Sequence, residues 1–451
     1  MNLKEIHQVY FVGIGGIGMS AIARYFASNK KQVAGYDKTP SQITKDLEKL
    51  GVKVHFEDDL KKIPLSFLKK EETLIVYTPA IPKNNRVLTY FLEHNFTVLK
   101  RSEVLGKITE TTFCFAVAGT HGKTTTSSIL GHIMAEVNAT SFLGGISENY
   151  NSNLILGADK ISVVEADEFD RSFLKLSPNI ACITSMDADH LDIYGDAAAL
   201  NESFIEFSNK ISETLIIAKG LPLKGLTYAV NEPADYEALN LKVESGKYSF
   251  DVKTPSSEIK NIEVHLPGQH NVMNTLAAFA MADSYGISLE TIKKRLSSFK
   301  GVKRRFTYKI KTENLVLIDD YAHHPTEINA VERSVREMYP NENVLVVFQP
   351  HLFSRTRDFL DDFAIALSKF DEVLLLDIYP AREVPISGVN SELLFDKITC
   401  KNKKLTKKNN LVKDIKNSSA KVVTVLGAGD IGVLVNDLTN KLLKTIGNDV
   451  Y

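Results

Sequence analysis

The sequence is poor in cysteine, in net charge and in long apolar runs. It has three cysteines in 451 residues, spread without metal-ligand spacing, so we expect buried free thiols in a reducing compartment. A formal net charge of −1 gives no reason to expect a nucleic acid or an anionic membrane as a partner. No run approaches the roughly 20 apolar residues that cross a bilayer, and no signal-peptide pattern opens the chain. We therefore expect a cytoplasmic protein.

The length and the pattern of apolar runs predict an α/β protein of three domains. A chain of 451 residues is too long for one ordinary core. Strand-like runs alternate with helical patterns, which predicts parallel sheets with right-handed crossovers. Between residues 214 and 268 the runs suggest a small antiparallel sheet, and the lysine-rich segment 400–410 reads as a solvated loop. The predicted domains are 1–106, 107–300 and 301–451.

The first glycine-rich loop lies between a strand and a helix near the N-terminus. Gly13, Gly15 and Gly18 have the G-x-G-x-x-G spacing, and Asp37 ends the next strand, where a ribose-binding acid is expected. The loop therefore predicts a site for the diphosphate of a dinucleotide or a UDP-sugar. The same spacing recurs at Gly427, Gly429 and Gly432. We interpret that second copy as a turn needed for strand–helix packing.

A second kind of glycine loop, GTHGKT, occupies residues 119–124. Gly119 and Gly122 free the backbone to place N–H groups around phosphate oxygens, Lys123 reaches the outer phosphates, and the Thr124 hydroxyl can bind Mg²⁺. Val117 stands where the common P-loop has its first glycine, so the loop is shorter than usual. An apolar strand precedes the loop and a helix rich in threonine and serine follows it. This context predicts a nucleoside triphosphate site.

Acidic residues follow the next two strands. VVEADEFD contains Glu165 after an apolar strand, and SMDADHLD places Asp189, His190 and Asp192 after the following one. The carboxyl ends of parallel strands form the ligand crevice of an open α/β sheet. A carboxylate of the first segment can therefore hold Mg²⁺, and we interpret His190 as a metal or phosphate ligand.

Polar residues at a helix start and near the second domain boundary suggest further contacts. The amides in HNVMN suit an adenine edge, although an asparagine there could also cap the helix. The guanidinium groups in GVKRRF suit a transferring phosphoryl group, although an exposed basic turn is the alternative. In the last domain, two segments that follow strands place Asp320, Tyr321, His323, His351 and Arg355 at another sheet edge.

The motifs GTHGKTTT, EADEFD, DADHLDIY, HNVMN, GVKRRF, DDYAHHPTE, FQPHLFSRT and LGAGDIG, in this order and spacing, resemble those of the Mur ligases over the whole chain. The resemblance implies that the first loop binds a UDP-sugar diphosphate and that the second binds ATP with Mg²⁺. It also implies an ATP-dependent ligase of peptidoglycan precursor synthesis. In this reaction the lactyl carboxylate of UDP-N-acetylmuramate is phosphorylated, and the amine of L-alanine then attacks the acyl phosphate.

The resemblance also implies roles for individual residues, with the third domain binding the amino acid and closing over ATP. The implied catalytic residues are Lys123, Glu165, His190, Arg304, Arg305 and His323. The implied nucleotide-binding residues are Gly119, Thr120, His121, Gly122, Lys123, Thr124, Thr125, His270, Asn271, Asn274, Asp320 and Tyr321. The implied substrate-binding residues are Gly15, Gly16 and Asp37 for the UDP moiety and His351, Arg355 and Arg382 for L-alanine. The implied metal ligands are Thr124 and Glu165, with His190 at a second metal.

Three features depart from the pattern of the family. No lysine lies between His190 and Lys210, so the carbamylated lysine of some sister ligases is not expected. Leu352 replaces a basic residue found after the FQPH histidine in many relatives. Arg382 stands where many relatives have a small residue, and it could compensate for the lost cation.

Other functions remain open from the sequence. A recycling ligase would attach a whole peptide to the same UDP-sugar. An NAD-dependent oxidoreductase would bind nicotinamide at residues 13–18, but it would leave Lys123 and the acidic clusters unexplained. A catalytically silent nucleotide-binding module would tolerate replacement of Lys123. The oligomeric state and the selectivity among L-alanine, glycine and L-serine are not predicted.

Overall fold

Strands and helices alternate through most of the chain, as the sequence pattern predicts. The structure, a computed structural model, describes residues 3–188, 191–244, 247–381 and 383–446. Packing divides the chain into two units. The first unit comprises Met1–Lys242, Ser249–Val264 and Met273–Lys300, and the second comprises Val243–Tyr248, His265–Val272 and Gly301–Tyr451. The domain limits at residues 106 and 300 stay a prediction.

The first unit begins with a parallel sheet that carries the first glycine loop. Its strand β1 is buried along its whole length, as expected for a central strand covered by helices on both faces. The elements are β1 (Gln8–Val12), α1 (Ile17–Ser28), β2 (Gln32–Tyr36), α2 (Gln42–Lys49), β3 (Lys53–His55), β4 (Thr73–Tyr77), α3 (Arg86–Glu93), β5 (Thr97–Lys100) and α4 (Arg101–Thr109). The strand order is β3-β2-β1-β4-β5, so β1 lies at the centre and its carboxyl end leads into the loop.

A larger sheet follows, with the phosphate loop after one of its central strands. Its elements are β6 (Phe113–Ala118), α5 (Lys123–Met134), β7 (Ala139–Ser147), β8 (Ser152–Ile155), β9 (Ala158–Glu165), β10 (Ile180–Ile183), α6 (Leu191–Tyr194), α7 (Ala197–Ser208), β11 (Thr214–Ala218), β12 (Leu226–Val230), β13 (Tyr236–Glu244), β14 (Lys247–Lys253), β15 (Glu258–Val264), α8 (Gln269–Ser284) and α9 (Leu289–Ser297). Among the described residues the strand order is β15-β14-β13-β12-β11-β10-β6-β9-β7-β8. Two runs predicted to be antiparallel, β11 and β12, instead pair in parallel with their neighbours. They extend the central sheet because their apolar residues are buried in it.

One apolar core joins the two sheets of the first unit. Buried residues of α1 and β1 and buried residues of β6, β9 and β10 belong to the same cluster. Asn153 Nδ2 donates to Ile17 O at 2.5 Å and to Ser20 Oγ at 2.9 Å, which fixes β8 against α1. This shared core explains why the two sheets form one unit.

The second unit contains a third sheet with helices between its strands. Its elements are β16 (Thr307–Lys311), β17 (Val316–Asp320), α10 (Pro325–Met338), β18 (Val344–Phe348), α11 (Phe353–Asp358), α12 (Leu360–Leu367), β19 (Glu372–Leu375), α13 (Ser391–Lys397), β20 (Asn402–Leu405), α14 (Leu411–Lys416), β21 (Val422–Leu426) and α15 (Ile431–Ile446). The strand order is β16-β17-β21-β18-β19-β20. Only β16 of these strands runs antiparallel to its neighbour within the described residues. The carboxyl ends of β17, β18 and β21 therefore meet at one edge.

The lysine-rich segment 400–410 is not simply a solvated loop, because β20 lies inside it. Lys403 Nζ donates to Phe395 O at 2.8 Å and to Ile398 O at 2.6 Å. Lys404 Nζ pairs with Asp414 Oδ1 at 2.6 Å. Two consecutive lysines of this edge strand thus bind neighbouring elements, a pattern that composition alone does not indicate.

Two expectations from composition can be compared with the described residues. Cys114, Cys182 and Cys400 are buried and free, as predicted. Within the part of the chain that the structure describes, no helix combines the length and the apolar character needed to span a membrane.

Candidate functional site

The phosphate loop of the first unit connects β6 to α5, and this predicted strand–turn–helix order is confirmed. Gly119 has φ +122° and Gly122 has φ +82°, values that other residues rarely adopt. A Cβ at Gly119 would overlap Thr184 Oγ1, and one at Gly122 would overlap Asn274 Oδ1. Helix α5 begins directly after Gly122, so its unpaired first N–H groups face the loop and favour an anion.

Lys123 is held inside this loop by a buried carboxylate. Its Nζ donates to Glu168 Oε1 at 2.8 Å, to Gly119 O at 2.7 Å and to Thr120 O at 3.2 Å. The Glu168 side chain is 1% exposed and that of Lys123 is 13% exposed. Burial lowers the pKa of Lys123, but neighbouring carboxylates, Glu168 foremost, outweigh it and raise the pKa overall. The side chain is therefore a permanent cation at the centre of the loop.

Glu165 lies beside the first turn of α5. Ser127 Oγ donates to Glu165 Oε2 at 3.4 Å and to Thr124 O at 3.2 Å, so one serine links the carboxylate to the turn that carries Thr124. Thr125, in the same turn, is 7% exposed. Among the described residues no group of three or more His, Cys, Asp or Glu side chains could hold a metal ion. A hydroxyl and a carboxylate nevertheless suit Mg²⁺, which uses few protein ligands when phosphates supply the others.

The end of β10 braces the middle of the phosphate loop. Thr120 Oγ1 donates to Asp187 O at 2.8 Å, and His121 N–H donates to Ser185 Oγ at 2.9 Å. The His121 ring lies 3.3 Å from Asp187 Oδ2. Thr120 and His121 thus contact the segment that follows β10, which fixes the shape of the loop.

The acidic turn after β9 is tied to the start of α4. Lys100 Nζ lies 2.9 Å from Asp170 Oδ2, and Arg101 Nη2 lies 3.6 Å from Asp167 Oδ2. Asp170 and Arg171 have φ values of +53° and +52°, which are strained for these residues. The turn therefore has an unusual backbone conformation, and its ion pairs with Lys100 and Arg101 hold it to the first sheet.

The residues of HNVMN divide between the two units. In the first unit, Asn274 Oδ1 accepts from Thr126 Oγ1 at 3.3 Å beside the phosphate loop. In the second unit, Asn271 Nδ2 donates to Pro267 O at 2.6 Å. Both asparagines lie inside α8, which begins at Gln269, so neither is its N-cap. In the second unit, His270 is the second residue of α8 and its side chain is exposed.

In the first glycine loop, the Asp37 carboxylate binds the loop itself. Gly15 N–H donates to Asp37 Oδ2 at 2.8 Å, and Thr39 N–H donates to Asp37 Oδ1 at 3.1 Å. Gly13 has φ +91°, and Gly16 precedes the first residue of α1. Asp37 therefore fixes the backbone of the turn that contains Gly15 and Gly16.

In the second unit, Asp320 anchors the backbone around Arg305. Asp320 Oδ2 accepts from Phe306 N–H at 2.6 Å, and its Oδ1 accepts from Ala322 N–H at 2.7 Å. Burial raises the pKa of Asp320 to about 6, although Arg305 opposes the shift. The Arg305 guanidinium lies 5.3 Å from the Tyr321 ring centroid.

Glu327 connects Arg305 to His323. Its Oε1 lies 3.6 Å from Arg305 Nη1. Its Oε2 accepts from His323 N–H at 2.9 Å and lies 3.2 Å from His323 Nδ1. His351 is close as well, because its ring centroid lies 6.0 Å from that of His323. This part of the sheet edge thus brings Arg305 and His323 to one carboxylate, with His351 beside His323.

Arg355 lies in α11 and is 6% exposed. Leu352, which precedes this helix, has φ +71°, so the backbone turns sharply between His351 and Arg355. Ser354 N–H donates to Glu383 Oε2 at 3.0 Å, which ties the start of α11 to Glu383. Of the predicted site residues, His190 and Arg382 lie outside the described residues.

Sequence reasoning assigned no role to Glu168 or Glu327, although both lie within motifs that it singled out. Glu168 belongs to the acidic run EADEFD, but the run does not tell which acid meets Lys123. Glu327 is the third residue after His324, and the two form a capping box at the start of α10. That H-x-x-E spacing is a local signal that could have identified Glu327.

Comparisons with known proteins agree with this architecture. Residues 8–112 match the model described as Mur ligase family, catalytic domain; residues 117–282 match Mur ligase middle domain; and residues 304–435 match Mur ligase, glutamate ligase domain. A solved UDP-N-acetylmuramate-alanine ligase from Thermotoga maritima has a TM-score of 0.82 at 27% identity, covering 98% of this chain and 99% of that one. The predicted three-domain α/β fold is thereby confirmed.

Curated relatives are similar over nearly the whole chain. A UDP-N-acetylmuramate–L-alanine ligase from Flavobacterium psychrophilum is 59% identical, covering 98% of this chain and 99% of the relative. The protein of the same name from Christiangramia forsetii is 57% identical, with the same coverage of both chains.

Proposed function

The chain belongs to the Mur ligase family, and on that premise we propose that it joins L-alanine to the lactyl carboxylate of UDP-N-acetylmuramate at the expense of ATP. The observation that carries the proposal is the similarity, over nearly the full length, to relatives that bear the name of this activity. The loop that holds Lys123 supports it, because a cation and free helix N–H groups suit a triphosphate. The product is a precursor of peptidoglycan.

The reaction needs activation because a carboxylate is a poor electrophile. A lactyl carboxylate oxygen attacks the γ-phosphorus of ATP, the bond to the β,γ-bridging oxygen breaks, and ADP leaves. The amine of L-alanine then adds to the acyl carbon, and the tetrahedral intermediate expels inorganic phosphate as the amide forms and a proton is lost. Phosphoryl transfer depends mainly on positioning and charge stabilisation, so fixed cations are the main requirement.

The first unit supplies the groups proposed for ATP and the UDP moiety. Lys123 balances charge on the outer phosphates, and the N–H groups at the start of α5 bind phosphate oxygens. The Thr124 hydroxyl and the Glu165 carboxylate suit Mg²⁺, and Ser127 ties the carboxylate to the Thr124 backbone carbonyl. The ion would neutralise phosphate charge when bound. The remaining proposed contacts are Gly119, Thr120, His121, Gly122, Thr125 and Asn274 for the nucleotide and Gly15, Gly16 and Asp37 for the UDP moiety.

The second unit supplies the groups proposed for phosphoryl charge and for L-alanine. Arg305 suits a charge-dispersed phosphoryl group, and Glu327 holds its guanidinium in place. His351 and Arg355 are proposed to bind the carboxylate of L-alanine. The remaining proposed nucleotide contacts of this unit are His270, Asn271, Asp320, Tyr321 and His323.

The decisive assay measures ADP release with ATP, Mg²⁺, UDP-N-acetylmuramate and one acceptor at a time. We expect release with L-alanine to exceed that with glycine, L-serine or a tripeptide. A preference for the tripeptide would instead identify a recycling ligase, and ADP release independent of any acceptor would contradict ligation. Oxygen-18 in the lactyl carboxylate should appear in the released phosphate, and its absence would refute the acyl phosphate.

A further inference from the structure

The second G-x-G-x-x-G turn is filled by groups of this chain. A Cβ at Gly427 would lie 2.8 Å from Gln349 O, and one at Gly429 would lie 2.8 Å from Tyr379 Cβ. Ile431 N–H, at the start of α15, donates to Gln349 Oε1 at 3.0 Å. The positions at which such a turn approaches a dinucleotide are therefore occupied from within the second unit.

The third glycine of the turn receives the guanidinium group of Arg304. A Cβ at Gly432 would overlap the Cζ and Nη1 atoms of Arg304. Arg304 Nη2 donates to Gly427 O at 2.5 Å, and Arg304 Nε lies 3.4 Å from Asp319 Oδ1. The Asp319 side chain is 2% exposed, so the guanidinium pairs with a buried carboxylate and a backbone carbonyl at the same time.

The backbone on either side of Arg305 is strained and pinned. Arg304 has φ +61° and Phe306 has φ +51°, which side chains of this kind adopt only when the surrounding structure holds them there. Tyr321 N–H donates to Arg304 O at 2.8 Å, and Phe306 N–H donates to the Asp320 carboxylate. The orientation of Arg305 thus depends on an anchor on each side.

We propose that residues 427–432 form an arginine cradle and that Arg304 is a positioning residue that orients Arg305 for phosphoryl transfer. The catalytic part of this proposal rests on the proposed ligase function. The two adjacent arginines then have separate tasks, since Arg304 is committed to the cradle and Arg305 carries the charge that meets phosphate.

Gly432→Ala tests the cradle with one methyl group. Gly432 is the second residue of α15, and alanine favours helix more than glycine does. The methyl group must therefore displace the Arg304 guanidinium without harming the helix. We expect Gly432→Ala to lower the melting temperature of the protein but to raise it in an Arg304→Ala background. An equal change in melting temperature in the parent and the Arg304→Ala backgrounds would refute the cradle.

Steady-state kinetics tests the positioning role. We expect Gly432→Ala and Arg304→Ala each to lower kcat about tenfold or more, because a small misplacement of a charge-stabilising group is costly. The double variant should lose no more than either single variant, and the KM for L-alanine should stay unchanged. Arg304→Lys should restore kcat only in part, since lysine lacks the planar fork. Full activity of Arg304→Ala would refute the role.

Val433→Ala is the matched control, because Val433 lies in the same turn and is 80% exposed. It should match the parent protein in melting temperature and in kcat, and a loss equal to that of Gly432→Ala would overturn the proposal. Assays of the parent protein distinguish a failure of the proposed ligase function from a failure of the cradle. If it shows no ADP release that depends on L-alanine, the proposed function fails while the melting comparison still tests the cradle. If it is active and the melting effects do not reverse, only the cradle fails.

Discussion

Replacing Asp320 with asparagine is expected to remove a pH dependence from the free energy of unfolding. The Asp320 side chain is 7% exposed. Burial raises its pKa from 3.8 to about 6, although Arg305 and the N–H groups of Ala322 and Phe306 act in the opposite direction. The folded protein therefore keeps a proton on this carboxylate at pH values where the unfolded chain has released it.

The magnitude follows from the two pKa values. A pKa that is higher in the folded state contributes stability that is fully present below the unfolded value of 3.8 and is lost as the pH rises through about 6. The difference of about 2 pH units corresponds to about 3 kcal/mol at about 1.4 kcal/mol per unit. Relative to Asp320→Asn, the parent protein should lose about this much unfolding free energy between about pH 4 and about pH 7.

Calorimetric unfolding of both proteins at closely spaced pH values measures the effect. Asparagine offers one acceptor oxygen where aspartate offers two, so the variant also loses a hydrogen bond, but that cost does not change with pH. Asp362→Asn, at an exposed position of α12, controls for the loss of one negative charge. A stability difference between parent and Asp320→Asn that stays constant from pH 4 to pH 7 would refute the reasoning.

Three further predictions concern the first unit. Lys123→Met deprives the buried Glu168 carboxylate of its ammonium partner. We therefore expect loss of ADP release and a drop of about 3–5 kcal/mol in unfolding free energy, measured with urea. An unchanged unfolding free energy would contradict the importance of the buried pair. Gly122→Ala adds a Cβ that overlaps a neighbouring side chain at φ +82°, whereas Gly220→Ala meets nothing within 4 Å at φ +94°. Calorimetric titration with an ATP analogue should show lost binding only for Gly122→Ala, and equal losses would mean that backbone strain alone explains them. Burial, followed by a nearby arginine, lowers the pKa of His132 from 6.5 to about 4, so the stability it contributes above pH 6.5 is lost as the pH falls through about 4. His132→Gln should reduce the fall in melting temperature at acid pH. An unaltered dependence of melting temperature on pH would count against the lowered pKa of His132.

Local signals in the sequence predicted much of the fold and part of the candidate site. The phosphate loop is contiguous, so its glycines, Lys123 and Thr124 could be recognised together and placed between a strand and a helix. The pairing partner of Lys123 could not be chosen among the acids of EADEFD, because the choice depends on how the turn after β9 folds back. The lysines of β20 misled for a related reason, since their charges suggest solvent while their ammonium groups bind neighbouring backbone and Asp414.

The sequence by itself determined the family and the class of chemistry, because the reactive groups lie in short motifs that can be recognised without any knowledge of packing. Only the tertiary structure decided how Arg304 and Arg305 divide their contacts. Adjacent in the chain, both guanidinium groups lie over the Tyr321 ring, but their other partners differ. β17 lies beside β21 and brings Gly432 against one guanidinium, while the start of α10 brings Glu327 against the other. Because of the same strand order, groups of the protein itself occupy the second glycine turn. The G-x-G-x-x-G spacing, which this turn shares with dinucleotide-binding loops, could not reveal that.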